Sequence, residues 1–209
     1  MKIRRTKRNG NGFTRNKESK YHNKKKIVDG IIFASEAEVD WFIGHVCTAA
    51  WNHEQDRGRS FEDGIAEAIA RHPAHADAIA AYDSRWAETI VGPIAGSVAI
   101  LEALSAQGTP VYAITNWHQD KFRETRGRFG FLSLFRDIVV SGEERLVKPD
   151  AAIYRRLLDR NQLDASTCLF IDDNADNVAG AEAVGMTAHL FTTPEQLRAR
   201  LAGSGILSS

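Results

Sequence analysis

The 209-residue chain balances 27 Lys or Arg against 27 Asp or Glu, and at 43% hydrophobic and 26% charged it reads as a globular protein able to bury one substantial core with a smaller appended module. It has no apolar run near the roughly 18 residues of a membrane span, its start lacks the apolar segment of a secretory signal, and its two cysteines, Cys47 and Cys168, show no metal-ligand spacing. A cytoplasmic protein is the expectation, since a reducing compartment suits isolated thiols.

The balanced charge is unevenly placed. Residues 1–26 hold eleven Lys or Arg against one acid, Glu18, a charge of +10 that leaves −10 for residues 27–209. Seven of the nine lysines lie there; beyond it only Lys121 and Lys148 remain, and arginine is the usual cation. With almost no apolar periodicity, residues 1–33 are expected to form a basic, disordered or replaced segment. Nucleic-acid contact through this tail, in a protein that only binds or scaffolds, is the alternative reading; no aromatic-interleaved platform or recognition motif accompanies the charge.

From residue 36 the apolar residues recur at helical spacing. "EAEVDWFIGHVC" aligns Val39, Phe42, Ile43, Val46 and Cys47 on one face, and "FEDGIAEAIARH" and "AHADAIAAYDSRWAETI" continue the pattern. A helical module over residues 34–91 is expected, ending where Gly and Pro interrupt in "VGPIAGS". Within it "WNHEQDRGRSF" groups Trp51, Asn52, Gln55, Asp56 and Arg57. These residues could face the mouth of a site, or form an internal Asp56-Arg57 turn over Trp51.

Helices and short β-branched strands then alternate over residues 92–209. "SVAILEALSAQ" leads to "PVYAIT", "IVVSG" follows, "AAIYRRLLDRN" leads to "TCLFI", and "TAHLF" precedes "TPEQLRARLAG". The last helix has the clearest start, with Thr193 as N-cap, Pro194 at its first position and Gln196 to close a capping box. Such alternation implies an α/β fold, a Rossmann-like parallel sheet with helices on both faces.

In such sheets, polar residues beyond the carboxyl ends of strands converge on one crevice. Here one strand ends in Thr115 and Asn116, another is followed by Lys148, and a third ends in Asp172 and Asp173 with Asn177 one helical turn on. A hydroxyl, an amide, a cation and paired carboxylates suit a phosphate beside a divalent metal such as Mg²⁺. Taken singly each has a plain alternative: Thr115-Asn116 as a helix cap, Lys148 as a surface loop residue, Asp172-Asp173 as a cap with a solvated neighbour. His118 could reach the crevice, although a lone His in a first helical turn is more often structural.

"AITNW", "VKPDAAIY" and "FIDDNADNVAGAEAVGM" together resemble the second, third and fourth motifs of the haloacid dehalogenase-like hydrolases, and "ASEAEVDWFIGHVCTAAWNHEQDRGRSFEDGIAEAI" is similar to the cap of members near the 2-haloacid dehalogenases and small phosphatases. The resemblance covers roughly residues 31–209. It implies a Rossmann-like hydrolase core with a helical cap, and a phosphatase rather than a dehalogenase, because the acids of the fourth motif are kept. It further implies Asp173 as Mg²⁺ ligand, Asp172 as the residue orienting Lys148, Thr115, Asn116, Lys148 and Asp172 as catalytic, and a small phosphorylated substrate. The family's first motif, an apolar strand ending in Asp-x-Asp-Gly or Asp-x-Gly-Gly whose first Asp attacks phosphorus, has no counterpart: no Asp-x-Asp occurs in residues 1–60. One alignment of "IVDGIIFASE" makes Asp29 the second Asp and puts Ile27 where the nucleophile belongs. The other, which we prefer, sets the whole motif in a region that residues 1–30 have replaced. On either, the chain is expected to have little or no turnover of its own.

Overall fold

The computed structural model describes residues 35–90 and 92–208. The readings of residues 1–33, Ile27 and Asp29 included, lie outside them. The described residues form two compact units that divide between Gly92 and Pro93.

The first unit contains the helices α1 (Glu36–His45), α2 (Ala49–Asp56), α3 (Phe61–Arg71) and α4 (Ala76–Ser84), with single 3₁₀ turns at Pro73–His75 and Trp86–Thr89. Hydroxyl caps start three of them: Ser35 accepts from the Glu38 amide, Thr48 from that of Trp51 and Ser60 from that of Asp63. The periodic residues Val39, Phe42, Ile43, Val46 and Cys47 are all buried, as their spacing requires. Trp51 meets Phe61 and Tyr82 edge-on, with ring centroids 6.2 and 5.6 Å apart. Its indole N–H donates to the Gly64 carbonyl at 3.1 Å.

The polar stretch around Trp51 is spent inside this unit. Gln55, fully buried, donates to the Trp51 carbonyl at 2.7 Å and accepts from Arg59 at 2.6 Å. Tyr82 donates to the Asn52 amide oxygen at 3.1 Å, and Asn52 donates to Asp56 at 3.3 Å. It is Arg59 that lies over the Trp51 ring, at 5.7 Å, while ion-pairing with Glu67. Of the two readings of this stretch, the structure favours an internal role for Trp51, Asn52 and Gln55, with Arg59 as the cation that closes over the ring.

The second unit runs α5 (Ala95–Ala106), β1 (Tyr112–Thr115), α6 (Gln119–Arg126), β2 (Asp137–Val140), α7 (Ser141–Glu144), α8 (Ala151–Asn161), β3 (Leu169–Asp172), α9 (Ala175–Glu182), β4 (Thr187–Leu190) and α10 (Pro194–Gly203). β1 pairs with β2 in parallel, from Tyr112 opposite Asp137 to Thr115 opposite Val140. β3 pairs with β4 in parallel, from Leu169 opposite Thr187 to Asp172 opposite Leu190. Among the described residues the two pairs are separate sheets. Helices nevertheless cover both: Ile114 and Val139 pack with α8 residues Ile153, Tyr154 and Leu157 in a cluster that Phe170 and Ala188 join. A second cluster, from Ile100 and Leu104 of α5 and Leu197 and Leu201 of α10, takes in Val111, Leu169 and Ile171. This is the α/β layering that the alternation implied.

Two local contacts refine the reading. Thr193 caps α10 by accepting from the Gln196 amide at 3.3 Å, but the Gln196 side chain hydrogen-bonds the Thr192 hydroxyl, so that interaction replaces the second half of the capping box. At the far end of α8, Arg160 donates two 2.8 Å bonds to Asp137 and one to Glu144, and Asn161 adds a third bond to Asp137. Burial alone would raise the Asp137 carboxyl; the bonds from Arg160 and Asn161 and the guanidinium charge outweigh it and hold the group below its ordinary range.

Close packing distinguishes two glycines. A Cβ on Gly180 of α9 would lie 2.5 Å from the Pro149 carbonyl oxygen and 3.0 Å from the Tyr154 hydroxyl, whereas one on Gly44 of α1 would meet nothing within 4 Å. Gly44→Ala should therefore stabilise the chain by roughly 0.5–1 kcal/mol, the gain of Ala over Gly within a helix, and Gly180→Ala should destabilise it by about 1–3 kcal/mol through overpacking. Urea midpoints of the two variants measure both shifts, and equal shifts would contradict the packing.

Candidate active site

The carboxyl ends of β1 and β3 carry the polar residues, and the segments after them are fixed before any ligand is considered. After β1, the Trp117 amide donates to the Ser141 hydroxyl at 2.8 Å and its carbonyl accepts from the Gly142 amide at 3.1 Å, which ties this loop to the start of α7. A Cβ on Gly142 would lie 2.7 Å from the Gln119 backbone nitrogen and 3.0 Å from the Trp117 carbonyl oxygen, so only glycine admits this approach. His118 is buried as the N-cap of α6, accepting from the Asp120 amide at 3.3 Å, which is the structural role.

With the loop held, Asn116 clasps the backbone of Lys148. Its Nδ2 donates to the Lys148 carbonyl at 2.9 Å and its Oδ1 accepts from the Lys148 amide at 2.8 Å. Both hydrogen-bonding faces of the amide are thus used on one residue of another loop. The Lys148 side chain runs inward: Nζ lies 5.7 Å from the centre of the Phe170 ring and donates to Asp172 Oδ2 at 2.6 Å.

Lys148 and Asp172 are 6% and 5% exposed, so both charges are out of water. A pair so buried holds only if the remaining lone pairs are satisfied. Asp172 Oδ1 accepts from the Asn174 amide at 2.9 Å and from Asn177 Nδ2 at 3.0 Å. Asn177 is anchored in turn by Tyr154, whose hydroxyl donates to its carbonyl at 2.7 Å. Burial pushes the Tyr154 phenol well above its ordinary value, and the negative charges of Asp172 and Asp150 add to the shift, so the hydroxyl remains a donor at neutral pH.

A continuous hydrogen-bonded chain therefore joins four of the expected residues: Asn116, Lys148, Asp172 and Asn177. Thr115 ends β1 directly before Asn116, and Asp173 follows Asp172, half-buried, at the end of β3. Two residues of this arrangement were not anticipated. Ser141 is a polar residue directly after a strand, the same signal that singled out Thr115. Tyr154 occupies a buried helical position where Phe would look equivalent, so nothing in the pattern marks its hydroxyl.

The chemistry of the donor set limits what it can hold. Asp172 is committed to Lys148, and among the described residues no group of three or more His, Cys, Asp or Glu is placed to hold a metal ion. Asp173 supplies one hard oxygen donor of the kind Mg²⁺ takes. The described residues thus fit part of a Mg²⁺ coordination shell and not the whole.

The family described as haloacid dehalogenase-like hydrolase matches residues 49–191. The chain belongs to this family. Among its relatives are the sesquiterpene phosphatase astK of Aspergillus oryzae, 35% identical over 94 residues that cover 45% of this chain and 48% of that protein, and the 6-phosphogluconate phosphatase of Escherichia coli, 28% identical over 138 residues that cover 63% and 58%. The chain thus spans about half the length of the curated relatives it matches. A solved haloacid dehalogenase family enzyme from Bacteroides thetaiotaomicron, in complex with magnesium and inorganic phosphate, superimposes with a TM-score of 0.61 at 17% identity over 85% of this chain and 87% of its own. At that identity the likeness shows the fold. No helix among the described residues is long and apolar enough to cross a membrane.

In this haloacid dehalogenase-like chain the ion pair dominates the energetics of the site. Lys148→Ala should cost about 3–5 kcal/mol of stability, since it leaves the Asp172 charge buried without its partner. Lys148→Met with Asp172→Leu should recover most of that loss, because neither charge is then desolvated. Chemical denaturation of both variants measures the difference, and a double variant no more stable than Lys148→Ala would contradict the account.

Proposed function

We propose that the site at the ends of β1 and β3 is the phosphate-handling part of a Mg²⁺-dependent phosphatase acting on a small organic phosphate monoester. The observation that carries this reading is the buried Lys148–Asp172 pair, held through Asn116 and Asn177. It sets a cation near the ends of two strands, with Thr115 directly before Asn116 in sequence and Asp173 directly after Asp172. In this arrangement Lys148 offsets phosphate charge, Thr115 donates to a non-bridging oxygen, and Asp173 contributes to holding Mg²⁺, whose role when bound is to neutralise charge on the phosphoryl group. Asn116 and Asp172 act through Lys148, fixing its backbone and its ammonium, so their part is positioning. The phosphatases among the relatives support the same chemistry.

The covalent step has no residue among those described, and Ile27 and Asp29 lie outside them. Loss of a nucleophile commonly lowers turnover by several orders of magnitude even where the other groups persist. The chain as it stands should therefore bind Mg²⁺ and phosphate while releasing little or no phosphate from monoesters. A version with an apolar strand ending in Asp-x-Asp-Gly or Asp-x-Gly-Gly in place of residues 1–30 should hydrolyse them. Phosphate release from a panel of monoesters, with and without Mg²⁺, tests both chains, and Asp173→Ala should weaken Mg²⁺ binding in each. Robust turnover by the present chain, or an unchanged Mg²⁺ affinity in Asp173→Ala, would overturn the reading.

A further inference from the structure

Residues 27–209 carry a charge of −10, yet one segment among them is basic. Residues 119–136, "QDKFRETRGRFGFLSLFR", hold Lys121, Arg123, Arg126, Arg128 and Arg136 against Asp120 and Glu124, a charge of +3 in a body whose remainder is −13. Both acids are met within α6: Asp120 accepts from Arg123 at 2.8 Å, and Glu124 lies 3.5 Å from the Lys121 ammonium. The excess falls on Arg126, Arg128 and Arg136, all exposed. Phe129 and Phe131 are interleaved with them, half-buried, their ring centroids 5.9 Å apart and their planes tilted by 40°. The Arg128 guanidinium lies 5.7 Å from the centre of the Phe129 ring. Gly127 and Gly130, on either side, are exposed, so the backbone next to the rings is open as well. The buried residues Phe122, Leu132 and Phe135 anchor the segment in a cluster with Leu101 of α5. The Arg136 amide donates to the Val111 carbonyl at 2.9 Å, directly before the paired starts of β1 and β2. Arg136 therefore stands at the opposite end of the strands from Thr115 and Asn116.

We infer that residues 126–136 form a binding surface for single-stranded nucleic acid, in which the three arginines meet phosphates and Phe129 and Phe131 stack on bases. Single strands are held by cations that follow the backbone together with aromatic faces on which unpaired bases lie. Arginine suits both parts, since its planar guanidinium bonds phosphate through two N–H groups and also stacks on rings. A duplex keeps its base faces stacked inside, so it would use the arginines and leave the two phenyl rings idle. An acidic peptide would do the same. A membrane surface takes apolar side chains that insert, whereas Phe129 and Phe131 pack against the cluster around Leu132 and offer only the part of each ring that remains open. The combination of unopposed arginines with partly open rings is therefore matched best by a strand whose bases are free.

The test uses the full chain and a single-stranded oligothymidine carrying 5-bromouracil, with fluorescence anisotropy for affinity and photo-crosslinking followed by trypsin and mass spectrometry for position. It needs no turnover, so its outcome is independent of the phosphatase reading. Crosslinks should fall on the tryptic peptide 129–136. Arg126→Gln with Arg136→Gln should weaken binding about tenfold and lower the slope of log affinity against log salt by about 1.4, the loss of two phosphate contacts on a single strand. Phe129→Leu keeps an apolar anchor and removes the aromatic face, so it should weaken single-strand binding about fivefold or more at an unchanged slope and leave duplex binding as it was. Crosslinks confined to residues 1–26, or unchanged affinity in both variants, would overturn the inference and give the contact to the basic tail. Equal losses for single strand and duplex in Phe129→Leu would also overturn it. So would poly-glutamate binding more tightly than the oligonucleotide and losing affinity in the arginine variant, which would assign the surface to an acidic protein.

Discussion

The buried pair of Lys148 and Asp172 is the constraint on which the candidate site depends. Two charges at about one-twentieth of full exposure are tolerable only with supporting bonds around them: Asn116 takes the lysine backbone, and the Asn174 amide and Asn177 take the second carboxylate oxygen. Each of these contacts draws on a different segment. The loop after β1, the loop before α8, the end of β3 and the first turn of α9 are consequently fixed by one interaction. Tyr154 extends it to the middle of α8, and Gly180 lets α9 come close enough for the Tyr154 hydroxyl to reach.

That arrangement separates two kinds of acid in one dipeptide. Asp172 faces inward and has its acceptors occupied, so its part is to orient. Asp173 is the more open of the two, half-buried at the end of β3, and the proposed phosphatase reading gives the cation to it. The same division applies to the first loop, where Asn116 serves the protein backbone and Thr115 stands at the strand end. Elsewhere the protein uses its polar groups for architecture: in the helical unit Gln55, Asn52 and Arg59 surround Trp51, and in the α/β unit Arg160 and Asn161 fasten Asp137.

Much of this was legible in the sequence because it rests on periodicity. The 3.6-residue spacing of Val39, Phe42, Ile43 and Val46 marked a helix face, and all four are buried. Short β-branched runs between helices marked parallel strands, and the rule that ligands gather at strand ends picked out Thr115, Asn116, Lys148, Asp172 and Asp173. What periodicity does not carry is the direction of a side chain once packing is decided. Asn116 could as readily have faced a ligand as the Lys148 backbone. The polar residues around Trp51 resemble a site mouth in sequence because their partners, Gly64 and Tyr82, lie 13 and 30 residues away. The Tyr154 hydroxyl differs from a Phe by one atom that a hydrophobic pattern does not register.

The central claim is that Asn116 and Asn177 act through one shared ion pair although they bond to different members of it. A double-mutant cycle with Asn116→Ala and Asn177→Ala, read by denaturant unfolding, tests this directly. The two side chains serve separate loops, and independent sites add within about 0.3–0.5 kcal/mol. The account predicts a coupling energy clearly above that limit, on the order of 1 kcal/mol, because either change alone loosens the pair that the other residue supports. Strict additivity would show that the two asparagines brace their loops independently, and would contradict it.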